Sequence, residues 1–145
     1  MPYFDRYIKL STSSDIETTL VESHNHLIQL IQPLSEEELN FNYAEGKWTL
    51  KDLLQHLIDT ERIFVYRALR FARNDKTELP GYDHDLYAQE SNANGKTKDQ
   101  LLNEFVAVHR ATIMFFNQLS EEALIRNGKA SGEELSVEMI AHIIA

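Results

Sequence analysis

Between Lys47 and Arg73 the chain reads KWTLKDLLQHLIDTERIFVYRALRFAR, with no proline or glycine to interrupt it. A run of this length commits the fold to a long helix, and a long helix must be covered by others along its apolar flank. Its start is marked: Thr49 is placed to cap the N-terminus with Asp52 three residues on, and Trp48 precedes the cap where it can staple onto Leu53. At about 100° per residue, Leu50, Leu53, Leu54, Leu57, Phe64, Val65, Ala68 and Ala72 collect on one broad stripe. His56 falls at the edge of that stripe. Glu61 falls near its middle, where a carboxylate is costly to bury without a partner.

The rest of the chain offers partners for such a helix. Thr97 with Gln100 caps a second long segment whose face runs through Leu101, Leu102, Phe105, Thr112, Ile113, Phe116 and Leu119. His109 lies inside that face, so a buried hydrogen bond between Glu61 and His109 is expected if the two helices are neighbours, raising the imidazole pKa. An earlier helix is expected from near Ser14, with Glu17 completing a capping box, to just before Pro33. Its face is Ile16, Leu20, Leu27, Ile28 and Ile31, with His24 a core or rim histidine within it and His26 to the side. A last helix opens at Ser136, stapled by Leu135 and Ile140, and uses Val137, Ile140, Ala141 and Ile144 as its face, leaving His142 outside the core.

Two similar words, PLSEEEL at Pro33–Leu39 and QLSEEAL at Gln118–Leu124, each read as a short capped turn of helix. The first leads through a Gly46 loop, the second through a loop with Gly128 and Gly132, and with one gap His56 aligns with His142 as a weak internal repeat. Asn74 to Lys96 reads as one long connection. Its Tyr82 and Tyr87 give it apolar weight to lie over an opening, and Asp83, His84 and Asp85 read as solvated turn residues. Arg67 and Arg70 sit toward the His56 side of the long helix, where a solvated helix edge is the default and holding an anionic substrate the alternative.

With 145 residues, 43% of them hydrophobic, one domain over 1–145 is expected. A formal net charge of −9 argues against nucleic acid as a partner. There is no cysteine, so thiol chemistry needs a thiol carried in by a substrate. The opening MPYFDRYIKL has no apolar run, so neither a signal peptide nor a membrane span is expected and the protein reads as cytoplasmic.

The Trp-Thr pair opening the long helix, His56 within HLIDTER, Arg67 and Arg70 in YRALRFAR, and LPGYD at Leu79–Asp83 together resemble the DinB-like family, from about Leu34 to Ala145. The resemblance implies an all-α four-helix bundle that binds a divalent metal through three histidines, with relatives that transfer low-molecular-weight thiols. His56 stands at the place of the first ligand. The other two belong to a Gly-His-Glu-x-His-His run in the last helix, and Ala145 falls where that run would begin, so the last helix is expected to be incomplete. Three histidines leave a coordination position open, as in catalytic sites, and zinc, nickel and iron all accept imidazole.

The expected function is therefore that of a metal-dependent enzyme resembling the family's thiol-dependent transferases or hydrolases, acting on a small electrophile. His56 serves as metal ligand, Glu61 and His109 as a buried supporting pair, and Arg67 and Tyr82 stand near the pocket. The alternative is a bundle without a competent metal that binds a small molecule in an apolar cavity or serves as a dimerisation unit. A homodimer is expected in either case.

Overall fold

The computed structural model describes residues 15–145, so the opening MPYFDRYIKL and Ser14 lie outside the described residues. In chain order come α1 (Ile16–Ile31), α2 (Glu36–Asn40), α3 (Leu50–Ala72), α4 (His84–Glu90), a 3-10 turn (Ala93–Gly95), α5 (Lys98–Asn117), α6 (Glu121–Leu124), β1 (Asn127–Ala130), β2 (Glu133–Ser136) and α7 (Val137–Ile144). The molecule is a four-helix bundle of α1, α3, α5 and α7 with one small hairpin. Both α1 and α3 pack against α5 on one side and α7 on the other, so α1 and α3 face each other diagonally. None of the described helices is long and apolar enough to cross a membrane.

The helix boundaries follow from side-chain chemistry. Capping boxes form at Ser35 with Glu38, at Thr49 with Asp52 and at Thr97 with Gln100, each filling orphan N–H groups of a first turn. At α1 the cap is Asp15, whose Oδ2 accepts from Thr18 N at 3.0 Å, one residue beyond the position expected. The C-terminus of α3 closes on Asn74, which takes a left-handed φ of 62°. There Asn74 N donates to Phe71 O and Asp75 N to Arg70 O, both at 2.9 Å, the pair of bonds that ends a helix in a Schellman turn. Arg70 then clamps the turn through Asp75 at 2.7 Å and holds that carboxyl down at about 2.

Two core clusters run along α3. Phe64, Ala68, Phe71 and Ala72 meet Leu20, Phe116, Val137, Ile140 and Ala141 at one end. Leu54 and Ile58 meet Ile31, Leu39, Leu101, Leu102 and Phe105 at the other. The buried face of α3 is rotated from the expected stripe: Leu54 and Ile58 are its centre, while Leu50, Leu53 and Leu57 are each about two-fifths exposed. The staple is displaced with it, since Leu53 is partly exposed and Trp48 turns to His56. Apolar residues occupy more than one row of this helix, and tertiary contacts decide which row is covered.

The Gly128 and Gly132 segment is a hairpin where a loop was expected. Its register pairs Asn127 with Ser136 and Ala130 with Glu133, leaving Ser131 and Gly132 as a two-residue turn. Both have positive φ, 52° and 79°, the backbone that keeps tight hairpins in twist with their strands. Gly128 lies against Phe71, where an added Cβ would come within 2.2 Å of the ring, so glycine is required for the strand to reach the core.

Candidate functional site

The connection from α3 to α5 doubles back on the helix it leaves. Leu79 bridges β1 through Leu79 N to Lys129 O at 2.9 Å and Ser131 N to Leu79 O at 3.0 Å. At its far end Thr49 Oγ1 donates to Asn94 Oδ1 at 2.7 Å, Asn94 Nδ2 donates to Asp52 Oδ1 at 3.1 Å, and Lys96 Nζ donates to Gln55 Oε1 at 2.6 Å. Between these pins the expected irregular stretch contains α4. Asp83 caps it, its Oδ1 accepting from Asp85 N and Leu86 N at 3.1 Å, so His84 enters as the first helical residue and not as a free turn residue.

This folding places the connection over His56. The His56 ring lies 5.0 Å from Trp48 and 5.7 Å from His84 between centroids, the two imidazoles inclined edge to face at 64°. One turn further along α3, Thr60 Oγ1 is 2.9 Å from the Tyr82 hydroxyl and 3.5 Å from His56 Nδ1, the second too long for a firm hydrogen bond. Tyr82 in turn contacts His84 and Tyr87, at 6.3 and 5.0 Å between centroids. Burial, and then the neighbouring His84, push the His56 imidazole below its ordinary pKa against the pull of Asp59 and Asp85. His56 is thus favoured in its neutral form, the form that ligates metals. A groove of about 620 Å³ runs past Trp48, Asp52, Asp85, Gln89 and Asn94; Trp48 borders it and also contacts His56, which does not itself line it.

Arg67 corrects the expectation of a solvated helix edge. Only 3% exposed, it donates from Nη2 to Ser131 Oγ at 2.9 Å and to Pro80 O at 3.2 Å, with its guanidinium 5.0 Å from the Phe64 ring and 6.0 Å from that of Tyr82. Among the described residues it has no carboxylate partner, and burial lowers its pKa. It fastens α3 to both the hairpin and the LPGYD segment, holding Tyr82 in place.

Glu61 and His109 meet in the bundle interior, Glu61 Oε1 lying 2.8 Å from His109 Nδ1 with both side chains at most 5% exposed. The other nitrogen, Nε2, donates to Leu20 O at 2.7 Å, because a carbonyl can only accept. The nearby Glu61 carboxyl favours the charged form of His109. Burial opposes that charge, but the Glu61 carboxylate and then the Leu20 carbonyl outweigh it and the pKa is raised. The contact lies off the direction of a straight hydrogen bond, which leaves both atoms without one. His24 stacks on Phe105 at 5.4 Å and approaches His109 at 5.4 Å, its Nδ1 buried without a hydrogen-bond partner. The pair borders a second cavity of about 240 Å³, walled by Leu27, Leu57, Phe64, Phe105 and Ile143.

The structure therefore gathers His56, Tyr82 and, unforeseen as a neighbour, His84 in one place, with Arg67 behind Tyr82. The Glu61–His109 pair forms a separate interior cluster, and His142 lies on the last turn of α7. Asp83, His84 and Asp85 are exposed, as expected of solvated residues; the contact of His84 with His56 depends on the reversal of the connection, which no local signal marks. Among the described residues no three His, Cys, Asp or Glu side chains converge in a way that would hold a metal. The two imidazoles nevertheless fit as part of a metal's donor set, since borderline divalent ions take neutral imidazole readily.

A helical bundle whose long helix carries a partly buried histidine, facing an exposed histidine on a pinned connection, is the class these features define. The DinB superfamily profile matches residues 19–145, and the chain belongs to that superfamily. A protein of Oceanobacillus iheyensis named as a candidate metal-dependent hydrolase is 30% identical over 71 residues, which cover 48% of this chain and 40% of that protein. The chain thus spans well under two thirds of the length of this curated relative. YfiT from Bacillus subtilis, described as a probable metal-dependent hydrolase with an unusual four-helix bundle topology, superposes with a TM-score of 0.68 at 16% identity. That match covers 97% of this chain and 77% of YfiT, and it establishes the shared fold.

Proposed function

We propose that this chain is a metal-dependent enzyme of hydrolase type, holding its metal through His56 and acting on a small electrophile in the groove beside Trp48. The observation that carries the proposal is the His56 environment: a half-buried imidazole favoured neutral, set against a second imidazole and next to the hydrogen-bonded Thr60 and Tyr82 hydroxyls. The names of the relatives support a metal, and the lack of any cysteine means that a thiol, if used, arrives with a substrate. A divalent ion bound here would supply Lewis acidity, making water or a thiol nucleophilic near neutral pH.

The chain's own residues have separate tasks in this reading. Trp48 walls one side of His56. With Thr60 donating to it, the Tyr82 hydroxyl keeps its own proton for a substrate oxygen, and Arg67 keeps the Tyr82 segment in place while contributing a positive field. Zinc, nickel and iron all suit such a donor set.

Elemental analysis of the purified protein and its His56→Ala variant tests this. Near-stoichiometric metal in the wild type that disappears in the variant supports the proposal; equal metal content, or none in either, overturns it. Given metal, parallel assays with water alone and with an added low-molecular-weight thiol separate hydrolysis from thiol transfer. A second reading, a small-molecule-binding bundle, rests on the apolar cavity bordered by Glu61 and His109, and is favoured if no metal is found.

A further inference from the structure

We infer that His84, on the short helix of the connection, is a metal ligand that shares one ion with His56; this rests on the metal-dependent reading above. Two imidazoles bound to one zinc ion at about 2.1 Å each put their ring centroids roughly 5–6 Å apart. His56 and His84 are 5.7 Å apart. Their rings are inclined at 64° and are not stacked face to face as His24 is on Phe105, at 20°.

His84 is held there before any ligand arrives. Asp83 fixes the helix start through two hydrogen bonds, and Tyr82, two residues before His84, is tied to Thr60 at 2.9 Å on the turn after His56. Asn94, beyond the far end of α4, is tied to Thr49 and Asp52 in the first turn of the helix that carries His56. Both imidazoles are thereby referred to α3, which is the preorganisation a ligand pair needs. His84 is exposed, so its ring can turn to present a nitrogen without displacing core residues. Two donors leave the remaining positions of a four-coordinate ion to water, substrate or further donors.

The test is calorimetric titration of the metal-stripped protein with Zn²⁺, and of the His84→Ala, His84→Asp and His56→Ala variants, with the visible spectrum of the Co²⁺ form as a second readout. The expected result is a loss of on the order of 100-fold in affinity for His84→Ala, an altered Co²⁺ band, partial recovery in His84→Asp, and an unchanged melting temperature of the metal-free variants. If His84→Ala binds Zn²⁺ as tightly as the wild type while His56→Ala does not bind, His84 is no ligand and the His56 reading stands. If the wild type binds no Zn²⁺ or Co²⁺, or His56→Ala binds as tightly as the wild type, the metal reading of His56 falls and the assignment of His84 with it.

Discussion

Glu61 and His109 bring a carboxyl and an imidazole into a core built from Leu, Ile and Phe, and the carboxyl raises the imidazole's pKa. Replacing Glu61 by Leu leaves a buried histidine with nothing opposite Nδ1, and breaking a buried pair costs roughly 3–5 kcal/mol. The sign of its pH dependence follows from the raised folded pKa of His109. The contribution is fully present below the unfolded value of about 6.5 and is lost as pH rises through the folded value. Urea unfolding of the wild type and Glu61→Leu should therefore show the largest gap near pH 6 and a smaller one at pH 9. His56, whose pKa is lowered, does not respond to Glu61 and cancels in the comparison, whereas His24, also lowered, loses the upward pull of Glu61 in the variant and adds to the gap at low pH. At this scale the sequence was partly legible: a carboxylate and an imidazole each inside an apolar face could only be reconciled by meeting. The burial of Arg67 was not, because its partners are a backbone carbonyl and a turn serine distant in sequence.

Elements with explicit caps were readable, and those defined by weak local preference were not. Thr49, Thr97 and Ser35 announce their helices by a matching side chain three residues on. The hairpin strands NGKA and EELS lack apolar alternation, and HDLYAQE is too short for a helical period to stand out. Thr49 serves two elements, since its Oγ1 accepts from Asp52 N at 3.1 Å while donating to Asn94. Thr49→Ala should lower stability by roughly 1–2 kcal/mol. Amide exchange should quicken at Ala93–Lys96 as well as in the first turn of α3. Exchange that quickens in the helix alone would mean the connection is held by its other pins.

For the whole molecule, the expected all-α bundle is the observed one, and the hairpin is an addition at one end. What the sequence did not convey is which residues from the connection and the long helix meet, because that depends on where the chain reverses. A bound metal should act on the bundle as a unit. At about 100 times its dissociation constant a ligand stabilises by about 2.7 kcal/mol, and a chain of this size gains roughly 2–4 °C per kcal/mol. A zinc-dependent rise of about 5–10 °C in melting temperature is expected for the wild type and none for His56→Ala, read by scanning fluorimetry. An equal rise in both would place the ion elsewhere.

The reversal of the connection onto α3 has a consequence for motion. Trp48, His56, Thr60, Arg67, Tyr82 and His84 all belong to one continuous stretch of chain, and its hydrogen bonds to Thr49, Asp52, Gln55 and Thr60 return it to its own helix. The spacing of the two imidazoles is consequently set largely within that stretch, with the hairpin as an outside support at Leu79 and Arg67. The geometry over His56 is therefore referred first to α3, like a tool fixed to its handle.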